Sequence, residues 1–143
     1  MIIACGTGPS YWHTKLPDFP RIGCSIINDG IDYYAYSELT HQEHVPTHVP
    51  VFAHPRVWRP GMILWDANLK YGNTSGGMAV AVACTLDTEV GLIGFDGTDV
   101  PQSFKNSFIR EVLRDWTLKG ITFYSLMEES FINDSGFATF TKL

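Results

Sequence analysis

The sequence is more informative first for what it lacks. Charge is sparse: Asp, Glu, Lys and Arg make up 17% of the 143 residues, and the net charge is −5. No Lys/Arg cluster is present, so the basic face that a phosphate backbone requires is missing and no nucleic-acid partner is expected. No long hydrophobic run exists either. The longest mainly apolar stretch, Met78 to Cys84, is far too short for a bilayer span, so no membrane span is expected. No basic n-region followed by an apolar h-region opens the chain, which reads as cytoplasmic rather than secreted. Cysteine is scarce and odd in number. Cys5, Cys24 and Cys84 have no metal-type spacing and read as three buried, reduced thiols.

Several motifs are also missing. There is no Gly-x-x-x-x-Gly-Lys-Ser/Thr loop, no third glycine to complete a dinucleotide fingerprint after Gly6 and Gly8, and no Gly-x-Ser-x-Gly elbow. His41, His44, His48 and His54 cluster, but Pro46 and Pro50 break any helix that would align them. They read as polar loop histidines, and no metal is expected.

What is present is an ordered globular composition, 45% hydrophobic and 13% aromatic. The length suits one domain over 1–143 that buries about two-thirds of its unfolded surface. The aromatic surplus, with Tyr11, Trp12, Trp58 and Trp65, suits a surface covered either by self-association, as in a homo-oligomer, or by a ligand.

Apolar runs at Ile2–Cys5, Ile22–Ile27, Tyr33–Tyr36, Val51–Ala53, Met62–Trp65, Val90–Ile93 and Ile121–Leu126 predict strands. Pro9 suits a first helical turn, and Pro17 and Pro20 limit that helix to two turns at most. Thr74-Ser75 caps a helix to about Leu86 that is apolar on nearly every side and therefore buried. Ser103 caps an amphipathic helix through Phe104, Phe108, Ile109, Val112, Leu113 and Trp116, with Gly120 as its stop. Beyond Leu126 the chain is less patterned. Unbroken apolar strands alternating with helices predict an α/β fold: a Rossmann-like, three-layer open sheet, mostly parallel, with helices on both faces.

Ligands of such sheets bind beyond the carboxyl ends of the strands. Gly6-Thr7-Gly8-Pro9-Ser10, Asn28-Asp29, Asn73-Thr74-Ser75-Gly76 and Gly94-Phe95-Asp96 are therefore the candidate ligand-binding segments. Each has a second reading: a tight corner, a turn, an N-cap or a loop carboxylate. Taken together they predict a phosphate- or nucleotide-like ligand.

"IIACGTGPSYW" resembles the Gly-Asn-Gly-Pro-Ser-Leu turn of the small bacterial lipooligosaccharide sialyltransferases. It equally resembles the related sialyltransferase-like family that includes an archaeal pterin pyrophosphokinase. "SIINDGIDYYAY" is similar to that family's next segment, and "NTSGGMAVAVACTLDTEVGLIGFDG" to its Thr-Ser-Gly helix and following Gly-x-Asp strand. The resemblance implies a nucleotide or CMP-type nucleotide-sugar as ligand, with CMP or another nucleotide bound and no separate cofactor. It implies that Gly6 to Ser10 approach ribose and phosphate, that Asn28 faces base or sugar, and that Thr74, Ser75 and Gly76 bind at the helix N-terminus. It implies, too, that Asp96 lies at the floor of the site. No histidine follows His54 and Tyr124 is the one tyrosine after Asp96, so the family's lid and catalytic histidine have no counterpart. The expectation is a minimal, lid-less glycosyltransferase-like protein. If it is an enzyme, it is metal-independent, with Asp96 as the base, or else Asp99, Asp29 or His54. The alternative is a non-catalytic assembly or interaction module.

Overall fold

The computed structural model describes residues 1–66, 74–97 and 103–142, residues 103 and 104 in backbone only. In chain order the elements are β1 (Ile2–Cys5), α1 (Pro9–His13), β2 (Arg21–Cys24), β3 (Tyr33–Tyr36), a 3₁₀ turn (Leu39–His44), β4 (Val51–Ala53), β5 (Ile63–Leu64), α2 (Ser75–Leu86), β6 (Glu89–Ile93), α3 (Ser103–Thr117), β7 (Thr122–Ser125), a second 3₁₀ turn (Phe131–Asp134) and β8 (Ala138–Phe140).

The strands form one eight-stranded sheet, ordered β5-β4-β3-β2-β1-β6-β7-β8, in which every pairing is parallel. This is the expected open α/β sheet. The chain winds outward from β1 toward β5, returns through α2 to β6, and winds outward again to β8. Right-handed crossovers in these two directions lie on opposite faces of the sheet. Accordingly α2 and α3 share one face, touch each other, and α2 packs on β1, β2, β3 and β6. The other face receives the short α1, whose Tyr11 packs against the core along with Leu16.

All four residues of β1 are buried, as a strand covered on both faces requires. α2 buries every residue from Gly77 to Cys84, as its all-round apolar pattern predicts. Gly120 follows α3 at φ +95° and takes the stop position assigned to it.

Three strands stand out among the differences from the sequence reading. The second strand ends at Cys24 instead of Ile27, because Ser25 adopts φ +55° and Ile27 N–H donates to the Cys24 carbonyl at 2.9 Å, reversing the chain. The fifth strand is two residues rather than four. Beyond Leu126 an eighth strand, β8, pairs with β7 in parallel register, so β7 is not the sheet's edge.

Candidate functional site

Chain direction reverses between β1 and β6, so the topological switch point lies at their carboxyl ends, Cys5–Gly6 and Ile93–Gly94. The two loops leaving it are bonded together rather than splayed. Gly6 N–H donates to the Ile93 carbonyl and Gly8 N–H to the Gly94 carbonyl, both at 2.8 Å. A Cβ on Gly6 would lie 2.6 Å from the Gly94 carbonyl oxygen, and one on Gly8 would collide with an Asp96 carboxylate oxygen. These glycines are required by this close approach.

Ser10 completes the junction. Its N–H (3.2 Å) and Oγ (2.9 Å) both donate to Oδ2 of Asp96, and its Oγ accepts from the Gly94 N–H at 2.9 Å. Asp96 is thus fixed by a cross-loop clasp and exposes part of its carboxylate to the α1 side.

The junction separates two clefts. On the α1 side a cleft of about 540 Å³ includes Ser10, Lys15, Asp96, Glu128 and Lys142 among its walls. On the α2 side a cleft of about 260 Å³ is walled by Gly6, Thr7, Gly8, Thr74, Ser75, Gly76, Gly94 and Phe95. Most of the candidate ligand-binding residues therefore share the α2-side cleft, while Ser10 and Asp96 face the other. Pro9 starts α1 and borders neither. Asn28 and Asp29 also lie outside both. Because β2 stops early, the Asn28 side chain instead donates to the His44 carbonyl at 2.9 Å, and Asp29 accepts from the Gly30 N–H as a turn residue. Asn73 and Asp99 fall outside the described residues.

One end of the α2-side cleft carries backbone donors. Thr74 caps α2, its Oγ1 accepting from the Gly77 N–H at 3.0 Å. The N–H groups of Ser75 and Gly76, in the first turn, have no partner within the helix. Lys105 borders the same cleft and its residue is exposed.

Sequence reasoning missed Ser25, Glu38, His41 and Lys105, which also wall this cleft. The histidine placed in a polar loop is held by both ring nitrogens. His41 Nε2 lies 3.1 Å from Ser25 Oγ, and Nδ1 lies 3.2 Å from Ser75 Oγ. Ser75 Oγ in turn lies 3.2 Å from Oγ of the fully buried Ser37. Ser25 lies inside the predicted strand Ile22–Ile27 and gives no signal, whereas Ser37 directly follows the predicted strand Tyr33–Tyr36, at an edge where open sheets gather ligands.

Of the other histidines, His54 accepts from the Arg56 N–H, and burial followed by the Arg56 charge lowers its pKa. Among the described residues no group of three potential ligands converges as a metal site. The three cysteines are free and buried. Burial pushes the thiols of Cys5 and Cys24 up to about 12 and raises that of Cys84 as well. Cys24 therefore borders the cleft as an inert thiol, not a nucleophile.

Fold and site together define an open parallel α/β protein with a cleft on either side of its switch point. No family model, curated protein or solved structure matches the chain. Among the described residues no helix is long and apolar enough to cross a membrane.

Proposed function

We propose that the chain binds a phosphate-bearing small molecule, a nucleotide or CMP-type nucleotide-sugar, in the α2-side cleft. The observation that carries this reading is the convergence of Gly6 to Gly8, the α2 N-terminus and Lys105 on one cleft at the carboxyl edge of the sheet. Free N–H groups, a helix dipole and Lys105 suit an anion at the α2 end, with Glu38 the one carboxylate among the described lining residues. The resemblance of the Gly6–Ser10 and Thr74–Gly76 segments to sialyltransferase-like proteins supports the nucleotide-sugar class. A volume of about 260 Å³ lies just below the usual range of small-molecule sites, which favours a mononucleotide over a dinucleotide.

Thermal unfolding with CMP, CTP, CMP-sugars and inorganic phosphate tests this. Ligand at 100 times its Kd stabilises by about 2.7 kcal/mol, a rise of roughly 5–10 °C in Tm for a chain of this size. Lys105→Glu, at an exposed residue, should leave the unliganded Tm unchanged and remove most of the rise. No shift with any of these ligands would sink the proposal. The second reading, a homo-oligomeric assembly module, draws on Trp12 and Trp58, which are 54% and 41% exposed, whereas Trp65 belongs to the core. Light scattering decides it: a monomer at high concentration removes that reading.

A further inference from the structure

We infer that Ser25 and His41 form a nucleophile–base pair, and that the α2-side cleft hydrolyses a small carboxylic ester by way of an acyl-Ser25 intermediate. Ser25 is the one described non-glycine residue with positive φ, +55°. It occupies the first corner of the turn from Cys24 to Ile27, directly at the carboxyl end of β2. Its carbonyl is pinned by the Tyr34 hydroxyl at 2.7 Å. The turn is so tight that a Cβ on Gly23 would collide with the Ile27 carbonyl oxygen. A strained, over-determined serine that closes a strand and presents its hydroxyl to a cleft is how a nucleophile is held in open α/β hydrolases. Here the geometry arises without the second glycine of the Gly-x-Ser-x-Gly pattern, so the sequence does not announce it.

His41 supplies the base. With Nε2 unprotonated to accept from Ser25 Oγ, Nδ1 carries the proton and donates to Ser75 Oγ, which donates onward to Ser37 Oγ. One polarity thus satisfies the chain from Ser25 through Ser75, which acts as the positioning residue. Ser25 Oγ attacks the ester carbonyl carbon, forming the C–Oγ bond while its proton passes to Nε2. The first turn of α2 and Lys105 border the same cleft as Ser25 and are the donors available to the oxyanion. The ester C–O bond then breaks with its electron pair on the alcohol oxygen, which takes the proton from Nε2. Water then attacks the acyl carbon and gives its proton to Nε2, and as the C–Oγ bond breaks Ser25 Oγ takes that proton back from Nε2 and the acid is released. Because a neutral hydroxyl rather than a carboxylate supports Nδ1, turnover is expected to be slow, and activated substrates are the suitable probes.

The test is reaction of the intact chain with a fluorophosphonate and with p-nitrophenyl acetate. The expected result is one equivalent of fluorophosphonate on Ser25 and measurable acetate hydrolysis. Ser25→Gly, which suits the positive φ, and His41→Gln should each fold normally and lower both rates about 100-fold or more. Ser75→Ala should lower kcat while KM stays constant, as a positioning role requires. An unlabelled folded protein, label at another residue, or hydrolysis that survives Ser25→Gly overturns the inference. It uses the cleft of the nucleotide reading but does not depend on it. Thermal shifts score that reading separately, and a nucleotide shift without acylation retains binding and removes this chemistry.

Discussion

Gly8 has an ordinary φ of −66°, so its backbone does not need glycine; the space does. A methyl there meets the Asp96 carboxylate and lies 2.6 Å from the Gly94 carbonyl oxygen. Gly8→Ala should therefore destabilise by about 2–3 kcal/mol through overpacking. Gly30 is the opposite case, with φ +64° and nothing within 4 Å of where a methyl would stand, so Gly30→Ala should cost only about 1 kcal/mol of backbone strain. Denaturant melts of the two variants check the order, and a Gly8→Ala variant as stable as the parent would contradict the packing. The same contrast shows why Gly6-x-Gly8 is hard to read from sequence. A glycine needed for close approach to Gly94 and Asp96 has the same letter as one that admits a phosphate. Among the site residues that sequence reasoning passed over, His41 is obscured for a related reason: its two partners, Ser25 and Ser75, lie 16 and 34 residues away.

Among the elements, α2 is the one that the sequence specifies most completely. Met78 to Cys84 is apolar on every side, and the helix it forms is enclosed by β1, β2, β3, β6 and α3. Its start is equally legible, since Thr74 accepts from the Gly77 N–H as an N-cap should. Thr74→Ala should remove about 1 kcal/mol. The change should be seen as a lower urea midpoint at unchanged m, because the surface exposed on unfolding stays the same. A changed m would mean instead that the helix end, or the denatured state, had been remodelled. β2 and β8 were less legible. Ile26 and Ile27 extend the apolar run of β2, yet Ser25 turns the chain and leaves Ile26 48% exposed. β8 is three residues long with one buried side chain, Ala138, which is too little periodicity for any pattern to detect.

At the scale of the whole molecule, the buried thiols link stability to pH. Burial raises Cys5 and Cys24 from the ordinary value of 9.0 to about 12, so the fold favours their neutral form. The sign follows directly: the unfolded chain releases these protons first, and stability present below pH 9 is lost as pH rises from 9 toward 12. The urea midpoint should fall between pH 8.5 and 10.5 by more than in a variant carrying Cys24→Ala, compared with its own midpoint at the lower pH. The native thiols should also resist a disulfide reagent at pH 8 and react once urea unfolds the chain. Prompt reaction of a native thiol would contradict this burial.

The sequence by itself determined the class of fold, because unbroken apolar strands and an all-round apolar helix are stable only inside a covered parallel sheet. It also determined that Gly6 to Gly8, Thr74 to Gly76 and Gly94 would meet, because topology gathers strand ends and returning loops along one edge. Tertiary structure alone decided that Ser10 and Asp96 would clasp each other and divide the edge into two clefts. It also decided that Ser25, His41 and Ser75 would come within hydrogen-bond distance. Those outcomes depend on a single positive φ at Ser25 and on contacts between residues far apart in the chain, which no local pattern encodes.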